Sequence, residues 1–464
     1  MPKFMKVLLQ ERYLFYIGFL IMNICLVSSC KTQGEIYNTQ AMQIDSVVVK
    51  TEEIKYQDSA EQNNFALKPK IFNQNVKSAY ISYDASQNSN PIYRLNSNEY
   101  LHLYFDYLKF DHPTFLVDFV HCDHNWIPSS IEHEYFLEGD FSLDISNGNP
   151  SFNTQQDYVH FEYTFPNENF NFLVGGNYYL ILLHAETEDT VLQLPFHILD
   201  NQTTIKAKVR EASIPKYKFS HQRVEINIDA KDYEIQNPYE NLIVQIRQNN
   251  RQDKVPENIK PSMVYNNTFE FANTTSLHFE AGKEFKYIDT RSLQIPEARI
   301  EAFNFTGLIP KLVLNTDEVR SFKPNISLTD MNGRFVIYNK DNTQDHVTSS
   351  DYAKIFLRLE MQKELVWEDI YVVGSFNNWQ IYPEYKLSYS LYDKSYQIEL
   401  LLKQGYYNYE YVIVPKGKNG PTDKSYIEGN DRDTENDYFI YVYTKPIGEN
   451  YMNLIGLSRI NSRN

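Results

Sequence analysis

From about Ile71 onward, apolar and aromatic residues come in short runs bounded by Asn, Asp, Gly and Pro. Two of these runs, Tyr100–Tyr107 (YLHLYFDY) and Tyr158–Phe165 (YVHFEYTF), partly alternate apolar with polar side chains. A period of two puts one face of a strand on a core and the other in water. Tyr178–Leu183, Arg223–Ile228, Leu242–Ile246 and Ile370–Val373 predict further strands, some alternating and some apolar throughout. No 3.6-residue pattern is sustained over three turns, so no long amphipathic helix is predicted. Short strands cut by turn residues predict an all-β chain of tandem immunoglobulin-like β-sandwich domains, each of roughly 100 residues.

Composition suggests where the blocks divide. Leu199-Asp200-Asn201-Gln202 closes the first strand-rich block, giving expected sandwiches at 65–200, 201–345 and 346–464. Asn332-Gly333 is a hairpin signal, because both positions of a type I′ turn need positive φ.

The N-terminal end reads as a processing signal. Lys3, Lys6 and Arg12 precede an apolar stretch from Tyr13 to Val27, and Leu26-Val27-Ser28-Ser29-Cys30 resembles a bacterial lipobox. Residues 1–29 are therefore expected to be a lipoprotein signal peptide and Cys30 the lipidated residue. Polar residues 30–64 form the expected tether, with a possible first strand near Ser46–Val49. With Cys25 removed and Cys30 acylated, only Cys122 is left as a thiol, so no intrachain disulfide framework is expected. Lys31 follows Cys30 without an acidic run, which favours the periplasmic side of the outer membrane over surface export.

Composition narrows the function classes. The formal net charge is -16, which disfavours sustained binding to nucleic acid or to an anionic lipid surface, since either needs a basic face. Aromatics make up 15% of the chain, too many for disorder and well suited to pleated, half-buried surfaces. Only 16 residues are Gly, and no phosphate-cradling loop occurs.

Four constellations invite chemistry. His121-Cys122-Asp123-His124 looks like a metal site or a Cys–His nucleophile. Adjacent strand residues point to opposite faces, however, and no second ligand pair stands at finger-like spacing. Cys122 is better read as a small buried residue and Trp126 as an anchor. Asp229, Asp232 and Glu234 are a possible carboxylate group, and Glu428–Asp437 a possible calcium loop without EF-hand spacing. Gly374-Ser375-Phe376-Asn377-Asn378-Trp379 looks like the G-x-F-N-x-W string of glycogen-binding-type carbohydrate modules. It motivates an alternative reading of the chain as a glycan-binding envelope lipoprotein. No acid, base and nucleophile set is legible, so no enzyme, cofactor, metal or small-molecule substrate is expected.

Several strings then fall in one order: His121-Cys122-Asp123 with Trp126, Ser151-Phe152-Asn153-Thr154, Phe165-Pro166-Asn167, Gly176-Asn177-Tyr178, Leu402–Tyr411, and Glu428-Gly429 with Thr434-Glu435-Asn436. Together they resemble the type IX secretion system plug protein family of Bacteroidota, once grouped as a domain of unknown function. The resemblance runs from about residue 65 to Leu454-Ile455-Gly456. One departure is Gly448–Met452 (GENYM), where the family tends to carry an Arg-Tyr-Asp string. The resemblance implies a non-catalytic protein that closes the periplasmic mouth of the translocon barrel, with that barrel as partner and the lipid anchor as membrane attachment. Candidate interaction or fold-signature positions are His121, Trp126, Phe152, Asn153, Phe376, Trp379, Tyr406 and Tyr407.

Overall fold

Large rings at alternate positions pack across a pleated sheet, and the predicted runs form strands where that alternation occurs. In Leu101–Tyr107, Leu101, Leu103 and Phe105 are buried while His102 and Tyr104 are partly exposed. The structure, a computed structural model, describes residues 66–464 other than 84–89, 140–142, 231–232, 257–258, 273–274, 296, 327–329, 343–344, 418–422 and 464. The leader, Cys30, the tether with its expected strand at Ser46–Val49, and Asp232 lie outside the described residues.

The first sandwich is contiguous. Thr190–Leu199, Gly176–His184 and Phe115–Cys122 pair antiparallel in one sheet. Val76–Ser82, Leu101–Tyr107, Val159–Phe165 and Gly148–Pro150 form the facing sheet. Between the sheets Phe105 stacks on Phe161 at 5.0 Å, with Phe115 edge-on to Phe105 at 5.2 Å.

The second sandwich is not contiguous. Thr204–Glu211, His221–Asp229, Thr268–Phe271 and Met263–Tyr265 form one sheet, with His278–Glu280 also on the His221 strand. The other sheet pairs Ile243–Gln248 with Asp437–Thr444, and that strand with Asn453–Asn461. Its core joins Val224, Ile226, Ile246 and Phe269 to Tyr438, Ile440 and Ile455.

The third sandwich sits between these pieces. Lys286–Asp289, Phe335–Ile337 and Glu368–Val373 all pair with the long Gly405–Pro415 strand. Opposite lie Ile300–Asn304, Lys311–Leu314, Tyr352–Glu360, Ser395–Lys403 and Ser388–Ser390. The third sandwich is thus an insertion in the second, which corrects the expected division into 201–345 and 346–464. Composition cannot reveal such nesting, because the returning strand Asp437–Thr444 (DYFIYVYT) has the same aromatic character as its predecessors.

The Asn332-Gly333 turn forms with positive φ at both residues, yet it makes no hairpin. Phe335–Ile337 after it pairs with Gly405–Pro415 instead. The helices His133–Phe136 and Pro238–Asn241 are single turns. Among the described residues no helix is long and apolar enough to cross a membrane.

Candidate functional site

The chemically interesting residues converge on the seams between sandwiches. At the seam of the first and second, Cys122 and His121 sit opposite Asn177 and Tyr178, so their side chains leave the strand on opposite faces. Asp123 then closes a tight turn, its Oδ1 accepting from the amides of Asn125 (2.8 Å) and Ile127 (3.0 Å). Trp126 takes a left-handed φ of 67° in that turn. The turn aims the indole at Tyr179 and His197, both at 5.2 Å.

The second sandwich answers with Arg247, which is 1% exposed. Its guanidinium lies 4.1 Å from the ring of Tyr441 and 5.5 Å from that of Trp126. It bonds to His197 Nε2 (3.0 Å), Gln245 Oε1 (2.9 Å) and Tyr443 Oη (3.3 Å). Tyr443 donates onward to Asn177 (2.9 Å), and Gln245 donates to the His124 carbonyl (2.9 Å). His121 packs edge-on against Tyr178 (5.0 Å) and Tyr451 (5.7 Å). Burial pushes its imidazole down to about 4, so it is neutral at pH 7. Its Nε2 donates to the Gly175 carbonyl (3.3 Å), and its Nδ1 meets Ser129 Oγ (2.7 Å). A Cβ at Gly176 would fall 2.3 Å from His121 Nε2, so this close approach requires glycine.

The seam of the first and third sandwiches is ionic. Lys403 donates to Asp106 Oδ2 (2.7 Å), as does the Tyr352 hydroxyl (2.6 Å), and His160 Nδ1 meets Oδ1 (2.7 Å). Burial would raise the Asp106 carboxyl, but the Lys403 ammonium and His160 hold it below its usual range. Burial lowers Lys403 despite that carboxylate. Asp351 accepts from the amides of Gln155 (2.6 Å) and Gln156 (3.1 Å), and Tyr158 donates to the carbonyls of Val347 and Ser350. The Ser151–Thr154 string is the neighbouring contact, its Phe152 amide donating to the Thr348 carbonyl (3.0 Å).

At the seam of the second and third, Arg251 bonds to both Glu410 and Asp253 and stacks over Trp379 at 4.4 Å. The Glu428–Asp437 run turns its first and last carboxylates inward. Glu428 accepts from Lys286 (2.6 Å) and Arg320 (2.5 Å). Burial would raise its carboxyl, but those cations hold it at about 2. Asp437 accepts from Asn332 (3.0 Å) and Arg459 (2.8 Å). Burial pushes Glu284 up to about 7, although the Glu435 amide and Arg463 oppose the shift.

The chemistry that these groups offer is cohesive. Burial pushes the Cys122 thiol far above its ordinary value, so it is not a thiolate at neutral pH. Among the described residues no group of three or more His, Cys, Asp or Glu side chains could hold a metal ion.

The sequence-marked positions divide by exposure. His121, Trp126, Trp379 and Tyr407 are buried. Trp379 packs on Phe285 at 5.7 Å, so the G-x-F-N-x-W string presents no open indole for a sugar. Phe376 is half-buried against Tyr385 and Tyr407, both at 6.1 Å. Tyr406 stacks on Tyr287 at 5.4 Å and is pushed up to about 12 by burial. Phe152 is 74% exposed and Asn153 turns the chain with a φ of 58°.

Asp106, Lys403, Arg247, Arg251 and Glu410 escaped sequence reasoning. For Asp106, Arg247 and Glu410 the one signal was a charge inside an otherwise apolar or aromatic strand, as in LYFDY and YNYEYVIV.

Geometry therefore defines an all-β body of three interlocked sandwiches whose buried polar groups serve cohesion. Residues 76–200 match the model of the "Type 9 secretion system plug protein 1st domain". The first sandwich accordingly carries the plug family's first domain, which bears out the resemblance there and ties the chain to type IX secretion. A crystal structure of a hypothetical protein from Parabacteroides merdae ATCC 43184 is similar to this chain with a TM-score of 0.82. The two are 26% identical, and the match covers 86% of this chain and 100% of that one. No curated protein matches the chain.

Proposed function

We propose that this chain is a non-catalytic lipoprotein of the outer membrane that faces the periplasm and closes the periplasmic opening of the type IX translocon barrel. The carrying observation is the match of residues 76–200 to the first domain of the type 9 secretion plug. The seams add physical support. A closure over a wide pore has to resist deformation, and three sandwiches joined through buried ion pairs and stacked rings suit that load. Lipidation at Cys30 would confine the protein to the membrane that holds the pore and raise its effective concentration there.

Affinity capture of the full-length tagged chain from native membranes tests the reading. Recovery of the large translocon barrel is the expected result. Clean recovery of the chain without the barrel, under conditions that keep the barrel soluble, would sink the proposal.

A further inference from the structure

Arg247 is a buried cation without a counter-ion. None of its bonded partners is charged. Burial and the Arg247 charge itself push the His197 imidazole well below its ordinary value, and Gln245 and Tyr443 carry no charge. Buried charges are normally paired. The guanidinium also has a donor to spare, since its Nε is buried and has no hydrogen-bond partner among the described residues.

Beside it lies a cavity of about 580 Å³, a volume typical of ligand clefts. Arg247, His124, Gln245 and Lys260 line it, and His124 Nδ1 is a second buried nitrogen without a partner among the described residues. Gln245 ties the two together, accepting from Arg247 (2.9 Å) and donating to the His124 carbonyl (2.9 Å). Two acidic side chains also reach the cavity. Asp253 is already engaged by Arg251 through Nε (2.9 Å) and Nη2 (2.7 Å), and Glu240 is exposed to solvent.

The cavity follows the edge of a strand. Ile243–Gln248 is the outer strand of its sheet and, among the described residues, pairs on one side only, with Asp437–Thr444. Gln245 and Arg247 leave one face of this strand toward the first sandwich. Leu242 and Val244 leave the other into the core of the second. Residues of both faces border the same space, so it runs alongside the backbone, where the unpaired amides and carbonyls of an edge strand lie.

One kind of ligand meets both features. An extended peptide pairs with the polar groups of a strand edge, and a carboxylate supplies the missing charge. A single cation with one free donor suits one carboxylate better than a phosphate dianion, because Asp253 and Glu240 share the cavity wall.

We infer that the cavity along the free edge of Ile243–Gln248 is a binding site for an extended peptide that places a carboxylate on Arg247. The carboxylate is that of a C terminus or of an acidic side chain, since the two offer Arg247 the same chemistry. The site is separate from acylation of Cys30 and does not depend on closure of the barrel.

Calorimetric titration of the full-length chain with three short peptides tests the site. Acetyl-Ala-Ala-Ala carries a C-terminal carboxylate, acetyl-Ala-Asp-Ala-amide a side-chain carboxylate, and acetyl-Ala-Ala-Ala-amide neither. At least one of the two acids should bind about tenfold or more tightly than the neutral amide. The tighter acid identifies the source of the carboxylate. In R247Q that preference should vanish. In K260E, a charge reversal at an exposed position of the cavity wall, it should fall by about threefold or more. The comparison of acid with amide is made on the unaltered chain, so it stands whether or not R247Q folds. No binding of either acid at about 20 mM, or equal binding of acids and amide, would overturn the inference. So would an acid preference that persists in a folded R247Q chain or, where R247Q does not fold, one left unchanged in K260E. Failure with all three peptides alongside successful barrel capture leaves the closure reading intact, and the reverse outcome removes that reading without touching this one.

Discussion

The two seams that hold the first sandwich are equally buried and chemically opposite. Against the third sandwich, Lys403 and Asp106 form a closed ion pair, 2% and 1% exposed at their side chains. Against the second, Arg247 carries its charge among bonded partners that are all neutral, between the rings of Tyr441 and Trp126. Burying a charge is costly in both places. The first seam offsets the cost with an opposite charge, the second with ring faces and lone pairs. The seams should therefore respond differently when one member is removed. Loss of Lys403 strands a buried carboxylate, whereas loss of Arg247 strands only neutral acceptors.

The largest effect expected from this contrast is in Lys403→Met. It should cost about 3–5 kcal/mol in urea denaturation, because Asp106 stays buried without its cation. The double change D106N/K403M should recover much of that loss. Two single losses that simply add would show that the pair is not coupled and break the contrast.

A pH titration probes the second seam next. His121 is held at about 4 in the folded chain, below its ordinary value of 6.5. Between those values the unfolded chain binds more protons. This contribution is therefore full above pH 6.5 and is lost as pH falls toward 4, by roughly 3 kcal/mol. Glu284, raised to about 7, works in the opposite direction as pH falls. The difference between wild type and His121→Gln isolates the histidine. A wild-type-minus-variant stability curve that stays flat from pH 6.5 to 4 would contradict its burial as the neutral form.

Arg247→Met should cost less, about 1–2 kcal/mol. It removes a buried charge along with the ring contacts, and leaves neutral partners unsatisfied. A loss equal to that of Lys403→Met would erase the distinction between the seams. Smallest of all is Cys122→Ala. It should cost about 1 kcal/mol for the lost sulfur packing and leave barrel capture unchanged. Loss of capture in a stably folded Cys122→Ala chain would return the thiol to the centre of the account.

Strand content was legible because alternation and aromatic richness are local properties. Tyr100–Tyr107 and Tyr158–Phe165 were each found within one residue as Leu101–Tyr107 and Val159–Phe165. The insertion of the third sandwich was not legible, since Asp437–Thr444 could pair with any apolar neighbour and its choice of Ile243–Gln248 is made by packing. The strings that marked the family were readable, but their purpose was not. His121–Trp126, Ser151–Thr154 and Glu428–Asn436 each lie on a seam, and a seam exists only once two distant parts of the chain meet. The charges within apolar strands, Asp106, Arg247 and Glu410, were the overlooked clue. Such a charge has to find a buried partner, and in a chain of several domains that partner can stand across an interface.

The central claim is closure of a pore, and electrical conductance tests it most directly. The translocon barrel reconstituted in a planar bilayer should pass a steady current that falls when the full-length chain is added to the periplasmic side, and recovers when the chain is washed away. A current unchanged at saturating chain, with the barrel shown to be open, would contradict the account.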